Sequence, residues 1–293
     1  MTISRISELI KNKSNRDQEW LEQRRAERET LSEMRDAALE EITTNPERYQ
    51  QYLTLQGDNI GCSAGNVVLT MFQLHGATKI GTTDYWHEQG RYVRESAMGA
   101  SAKVFVPPRN GQRRGYLLGD YYDVEQTTGK PLKEQIRLTD DSPKMDNALA
   151  ALMNFSPVPI SERQDVDLPA YYDDVQMNLY INPNYSETEI FSALAVEVTY
   201  ARIHDKGRNG DFDREVYHLD AESVGYMLCR RFGVECPVPR AGEVGCLYDG
   251  YERATRSDIL EQLRKTARNI GDGIDRAIQP RQQERGRKRY VAR

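Results

Sequence analysis

No run of apolar residues in this 293-residue chain is long enough for a membrane-spanning helix. The opening stretch, residues 1–17, has no continuous apolar core, so no secretory signal and a cytoplasmic protein are expected. Cysteine is scarce, limited to Cys62, Cys229, Cys236 and Cys246, and no two of them form a C-x-x-C pair. That argues against a zinc knot or a disulfide framework, and for small apolar residues in a reducing compartment. A positive excess is also missing: the net charge of −5 by itself argues against strong nucleic-acid binding. No internal repeat is present.

The distribution of charge says more than its sum. Residues 91–115 carry net +5 (Arg91, Arg94, Lys103, Arg109, Arg113 and Arg114 against Glu95), and residues 281–293 again carry net +5. Everything else is strongly acidic, so the two basic islands mark where a polyanion can dock. The plainer reading is a soluble surface for the first island and a solvated tail for the second. With 38% apolar and 29% charged residues, much surface, solvated helices and a disordered end are expected.

The pattern predicts a long charged helix over 16–42, with Leu31, Met34, Ala38 and Ile42 near helical spacing, broken at Asn45-Pro46. A second helix follows to about Gln56. Ser63 then caps a buried helix through Val67–Leu74, stopped by Gly76, and a short helical turn at 84–89 carries Trp86. Residues 102–108 and 115–124 read as strands of a hairpin turning at Asn110-Gly111, which puts Arg109, Arg113 and Arg114 at its tip. A short helix at 144–155 leads into an irregular, proline-bearing linker, and 170–183 reads as a second hairpin. Ser186 and Glu189 form a capping box that opens a helix to about His204, with Ile190, Leu194, Val198 and Ala201 on its apolar face. Helices at about 214–232 and 255–278 complete an α+β chain.

The order of motifs resembles the ArdC/LtrC antirestriction type of conjugative elements. Those proteins join an N-terminal single-stranded DNA-binding domain to a zinc-metallopeptidase-like domain. The resemblance is carried by Cys62-Ser63-Ala64-Gly65-Asn66-Val67-Val68-Leu69, Gly76-Ala77-Thr78, Trp86 and Tyr122-Asp123-Val124-Glu125-Gln126. After the charged helix, placed over 1–44, it implies a single-stranded DNA-binding domain over 45–143 and a linker with a short helix over 144–168. A helix-rich, zincin-like domain over 169–279 and a basic tail over 280–293 follow.

Active members carry His-Glu-x-x-His on the helix after the second hairpin. Two imidazoles four residues apart reach one zinc, and the Glu activates metal-bound water. Here the five positions read Val196-Glu197-Val198-Thr199-Tyr200, and the further acidic ligand corresponds to Glu222. Valine cannot ligate zinc and tyrosine is a poor ligand, so the resemblance implies a pseudopeptidase with no zinc or other cofactor, Glu197 and Glu222 being relics. Glu197 borders the apolar face and needs a partner, for which Tyr200, Tyr226, Arg208 and Arg214 are candidates. The alternative is a displaced metal site from His204, His218 and Glu222, since His218 and Glu222 lie four apart. The simpler reading makes these histidines, with His75 and His87, structural.

Single strands are held by cations along the backbone and aromatic faces under the bases. The residues of that kind are Trp86, Arg91, Tyr92, Arg94, Lys103, Arg109, Arg113 and Arg114, whereas Phe105 and one of Tyr121 or Tyr122 belong to the core. The family's glycine-rich stretch before the strand is reduced to Arg94-Glu95-Ser96-Ala97-Met98-Gly99, with one basic residue and one glycine kept. The expected role is a non-catalytic DNA-binding accessory protein of a plasmid, phage or integrative element, with single-stranded DNA and a protein of a restriction or conjugation system as partners. The competing readings are a protein-interaction scaffold that uses the pseudopeptidase cleft, and a metalloenzyme with relocated ligands.

Overall fold

A computed structural model describes residues 2–108, 116–205 and 212–279. In chain order its helices are α1 (Thr2–Thr44), α2 (Pro46–Asp58), α3 (Ala64–Gln73), α4 (Thr83–Glu88), α5 (Pro143–Met153), α6 (Glu187–Asp205), α7 (His218–Phe232), α8 (Val244–Leu247) and α9 (Arg253–Ile278). The strands are β1 (Ile80–Gly81), β2 (Arg91–Val93), β3 (Ala102–Val106), β4 (Leu117–Asp123), β5 (Thr127–Gly129), β6 (Ile160–Glu162), β7 (Ala170–Asp173) and β8 (Asn178–Ile181). The chain is thus helix-rich and α+β. Among the described residues no helix is long and apolar enough to cross a membrane.

Two compact units form, one from residues 1–41 and 68–129, the other from 42–67 and 130–293. This division differs from the boundaries at 44, 143 and 168 expected from sequence. α2 and residues 130–143 are local in sequence to the first unit, but their contacts are with the second: Tyr49 Oη meets Ser223 Oγ at 2.9 Å, and the Leu138 amide donates to Phe232 O at 3.0 Å. Composition does not reveal such long-range packing.

In the first unit, α1 begins far ahead of the expected Arg16, because nothing before Asn45-Pro46 breaks a helix. Asn45 ends it and caps α2, accepting from the Glu47 and Arg48 amides at 3.0 and 3.1 Å. Of the expected stripe, Leu31, Ala38 and Ile42 are buried, while Met34 stays exposed with Trp20 and Leu21. β3 and β4 pair antiparallel from Ala102↔Tyr121 to Val106↔Leu117, the hairpin foreseen, and β1 adds to β4 to give the order β1-β4-β3. The hairpin tip, with Arg109, Arg113 and Arg114, lies outside the described residues, as does the tail from 280.

The signature at the end of β4 has a structural explanation. Asp123 Oδ1 accepts from the Thr78 and Lys79 amides at 2.7 and 3.1 Å, and Oδ2 accepts from the Glu125 amide at 2.8 Å. Gln126 Oε1 accepts from the Asp123 amide at 2.8 Å, and its Nε2 donates to Ala100 O at 2.6 Å. Two short motifs 45 residues apart are therefore halves of one buried polar joint, which pins β1 beside β4.

In the second unit the sheet order is β6-β8-β7, with β7 and β8 antiparallel and β6 parallel to β8. β6 falls in the stretch expected to be an irregular linker. Three residues flanked by proline give no periodic signal, and the strand exists only through its partner. The capping box is present: Ser186 Oγ accepts from the Glu189 amide at 3.3 Å, and Glu189 Oε2 accepts from the Ser186 amide at 2.9 Å. α6 packs against α7 and lies under β7, and α7 also meets α2 and α9. α7 starts at His218, later than the expected Arg214, which stands instead in the loop before it.

Candidate functional site

Between α6, α7, the start of β7 and residues 235–240 lies a cleft of about 520 Å³. Its floor holds Val196 and Glu197 from α6 and Glu222 and Gly225 from α7. The helices approach so closely that a Cβ on Gly225 would stand 2.5 Å from Val196 Cγ2. Valine at 196 therefore fills the space against α7, and only glycine fits opposite it.

Glu197 is buried. Its Oε2 accepts from the Tyr172 amide of β7 at 2.8 Å, and its Oε1 is bound by the Arg214 guanidinium. Burial pushes the Glu197 carboxyl above the ordinary carboxylate value, against the pull of Arg214 and the Tyr172 amide. Arg214 lies 4.1 Å over the ring of Tyr200 and 5.3 Å from that of Tyr171, a cation held on aromatic faces. Burial raises the Tyr200 phenol to about 12, so it is a neutral hydroxyl at physiological pH. Glu222 also has a basic partner: Arg240, whose side chain is 65% exposed, donates to it from both Nε and its backbone amide, each at 2.7 Å.

Of the partners expected for Glu197, the structure selects Arg214. Tyr200 touches Arg214, Tyr226 bonds Thr54 Oγ1 at 3.0 Å, and Arg208 lies outside the described residues. The partner of Glu222, Arg240, has no motif around it and is missed by the sequence; only the acid's need for a counter-charge hinted at one.

The displaced metal site is not assembled. His204 Nδ1 meets Tyr172 Oη at 2.7 Å, and its ring stacks on Phe212 at 4.6 Å. His218 Nδ1 lies 2.6 Å from Glu215 O, and both histidines are buried. With Glu222 taken by Arg240, His204, His218 and Glu222 are each committed to a different neighbour. Among the described residues no group of three His, Cys, Asp or Glu side chains can hold a metal ion. The zinc implied by the peptidase pattern does not fit: Val196 offers no donor, Tyr200 a neutral phenol, and both carboxylates face guanidinium groups.

In the first unit the residues assigned to DNA fall into classes. Trp86 is fully buried and donates from Nε1 to Tyr122 O at 3.1 Å, so the expectation that its face lies under bases is corrected. α4 turns the ring inward, where its area is worth more as core. Arg91 is half-buried and donates to Thr127 Oγ1 at 2.8 Å and Thr127 O at 3.2 Å, tying β2 to β5. Lys103 is exposed but paired with Asp120 at 2.6 Å. Tyr92 and Arg94 are exposed, and the His87 ring lies 5.0 Å from that of Tyr92. Tyr121 is the core aromatic of β4.

No family model and no curated protein matches the chain. It is similar to solved structures of the antirestriction ArdC protein from plasmid R388. The metal-free form is 18% identical, over 74% of this chain and 85% of that one, with a TM-score of 0.43. The Mn(II)-bound form is 17% identical, over 78% of this chain and 98% of that one, with a TM-score of 0.44. The type named in these two structures is the one that the motif order resembles.

Proposed function

We propose that this chain is a non-catalytic accessory protein of antirestriction type, whose second unit is a pseudopeptidase that binds rather than cuts. One observation carries the reading: both acids of the peptidase pattern are neutralised by arginines, Glu197 by Arg214 and Glu222 by Arg240. A peptidase glutamate must take a proton from metal-bound water, and its partner must offer a lone pair to the metal. Neither acid has that freedom here. The cleft itself persists, and β7 is an edge strand beginning at its rim, a geometry that suits an extended polypeptide. A protein of a restriction or conjugation system is the partner this reading implies. The antirestriction setting rests on the motif order from Cys62 to Gln126.

Single-stranded DNA binding by the first unit is the second reading, favoured by exposed Tyr92 and Arg94 on one short segment. The test joins two measurements on the purified chain. Metal content and peptidase activity are expected at background. One equivalent of zinc with activity lost in Glu197→Ala and Glu222→Ala would overturn the pseudopeptidase. Titration of a single-stranded oligonucleotide at two salt concentrations is expected to show salt-sensitive binding; none at low salt removes the second reading and leaves the scaffold.

A further inference from the structure

Within α1, positions 6, 10, 13, 17, 20, 24, 27, 31, 34 and 38 are separated by four and three residues alternately, the spacing of a seam shared by two helices. The seam is covered at one end only. Leu31 and Ala38 are buried, whereas Ile6, Ile10 and Trp20 are 54%, 65% and 56% exposed. Leu9 and Leu21 flank them and are exposed as well. Every residue from 5 to 30 is exposed, so about 39 Å of helix shows an apolar edge to water. Helices in water draw most of their stability from packing such a face. Just beyond Trp20 the edge opens on a cleft of about 760 Å³ between α1 and the β3–β4 hairpin, whose wall includes Arg24, Leu31 and Leu118.

The exposed seam also holds Lys13 and Asp17, and these two charges select the occupant. A wholly apolar partner helix would leave both without a counter-charge. A second copy laid parallel would set Lys13 on Lys13 and Asp17 on Asp17. Laid antiparallel about an axis at Asn15, a second copy sets each Lys13 on the partner's Asp17 and each Ile10 on the partner's Trp20. Positions 13 and 17, 10 and 20, and 6 and 24 are all symmetric about 15, so one register satisfies every layer. The partner's Ile6 then meets Arg24, whose guanidinium lies 5.5 Å over the Trp20 ring at the mouth of the cleft. Opposite charges inside an otherwise apolar seam fix its register at some cost in stability.

We propose that residues 5–25 of α1, about three heptads, pair antiparallel with the same residues of a second copy, so that the chain forms a twofold dimer. The pairing uses one face of α1 and needs no residue of the cleft between α6 and α7.

Sedimentation velocity of the full chain over a concentration series tests this. A reversible monomer–dimer equilibrium is expected. Lys13→Asp sets acid on acid in two layers, and Asp17→Lys sets cation on cation. Each should raise the dissociation constant at least about ten-fold. The double variant restores both pairs and should dimerise like the wild type. A parallel pair would be indifferent to Lys13→Asp, because like charges meet in that layer before and after the change. Trp20→Glu should also leave a monomer. All three positions are exposed, so the variants should keep the wild-type unfolding midpoint. A monomer at every concentration overturns the proposal, as does a monomer whose α1 instead carries it down with vesicles of anionic phospholipid. A dimer untouched by Lys13→Asp, or one not restored by the double variant, overturns the antiparallel register.

Discussion

Arg214 rests its guanidinium 4.1 Å over the ring of Tyr200 while binding the Glu197 carboxylate one helical turn away. A protein cation therefore stands beside Glu197, which lies between Val196 and Tyr200 on α6. Replacement of Arg214 by leucine leaves a buried acid without its counter-charge. Breaking such a pair costs about 3–5 kcal/mol when both partners are buried; with 33% of the Arg214 side chain exposed, about 2–3 kcal/mol is expected. Urea denaturation measures it, and Glu197→Gln in the Arg214→Leu background should restore part of the loss.

The raised Glu197 value fixes the sign of a pH effect. An acid whose folded-state pKa lies above its unfolded one binds protons more tightly when folded. Its contribution to stability is complete below its ordinary value, near 4.5, and is lost as pH rises through the raised folded value. Glu197→Gln removes this dependence. Relative to wild type, the variant should gain stability as pH rises over the range above about 4.5. A constant difference across denaturation curves in that range would show that Arg214 fully offsets the burial.

Metal binding should appear only when the arginines are removed as well as histidines supplied at 196 and 200. Val196→His with Tyr200→His supplies the imidazoles but leaves Glu222 on Arg240 and Arg214 over position 200. Adding Arg214→Ala and Arg240→Ala should raise zinc binding from background to about one equivalent by equilibrium dialysis. Equal zinc binding with and without the arginine substitutions would show that the guanidinium groups do not block the site.

In the first unit two aromatics should separate. Trp86→Ala should cost about 3–5 kcal/mol of stability as a core cavity. Tyr92→Ala with Arg94→Glu should leave the unfolding midpoint nearly unchanged and weaken oligonucleotide binding. Charge reversal of Arg109, Arg113 and Arg114 should also weaken it and flatten its salt dependence. Oligonucleotide affinity unchanged by both sets of substitutions would exclude these five residues from DNA contact.

Asp123 holds three backbone amides, at residues 78, 79 and 125. Asp123→Ala orphans them, at about 1–3 kcal/mol for each amide that water cannot reach. Hydrogen exchange should quicken first at Thr78 and Lys79. Unchanged protection there would mean that the β1–β4 pairing holds the joint without the carboxylate.

The sequence by itself determined what is local. The helix break at Asn45-Pro46, the Ser186–Glu189 box and the β3–β4 and β7–β8 hairpins all follow from neighbours within one turn or one hairpin. Tertiary structure alone decided which arginine meets which acid, since Arg214 and Arg240 reach Glu197 and Glu222 from loops 17 and 18 residues away. It also turned Trp86 inward, made a strand of residues 160–162 and gave α2 to the second unit. The physical reason is the same throughout. Propensity and periodicity act over a few residues, whereas a buried charge or ring takes whichever partner the folded chain brings within reach, and one-dimensional spacing does not encode that distance.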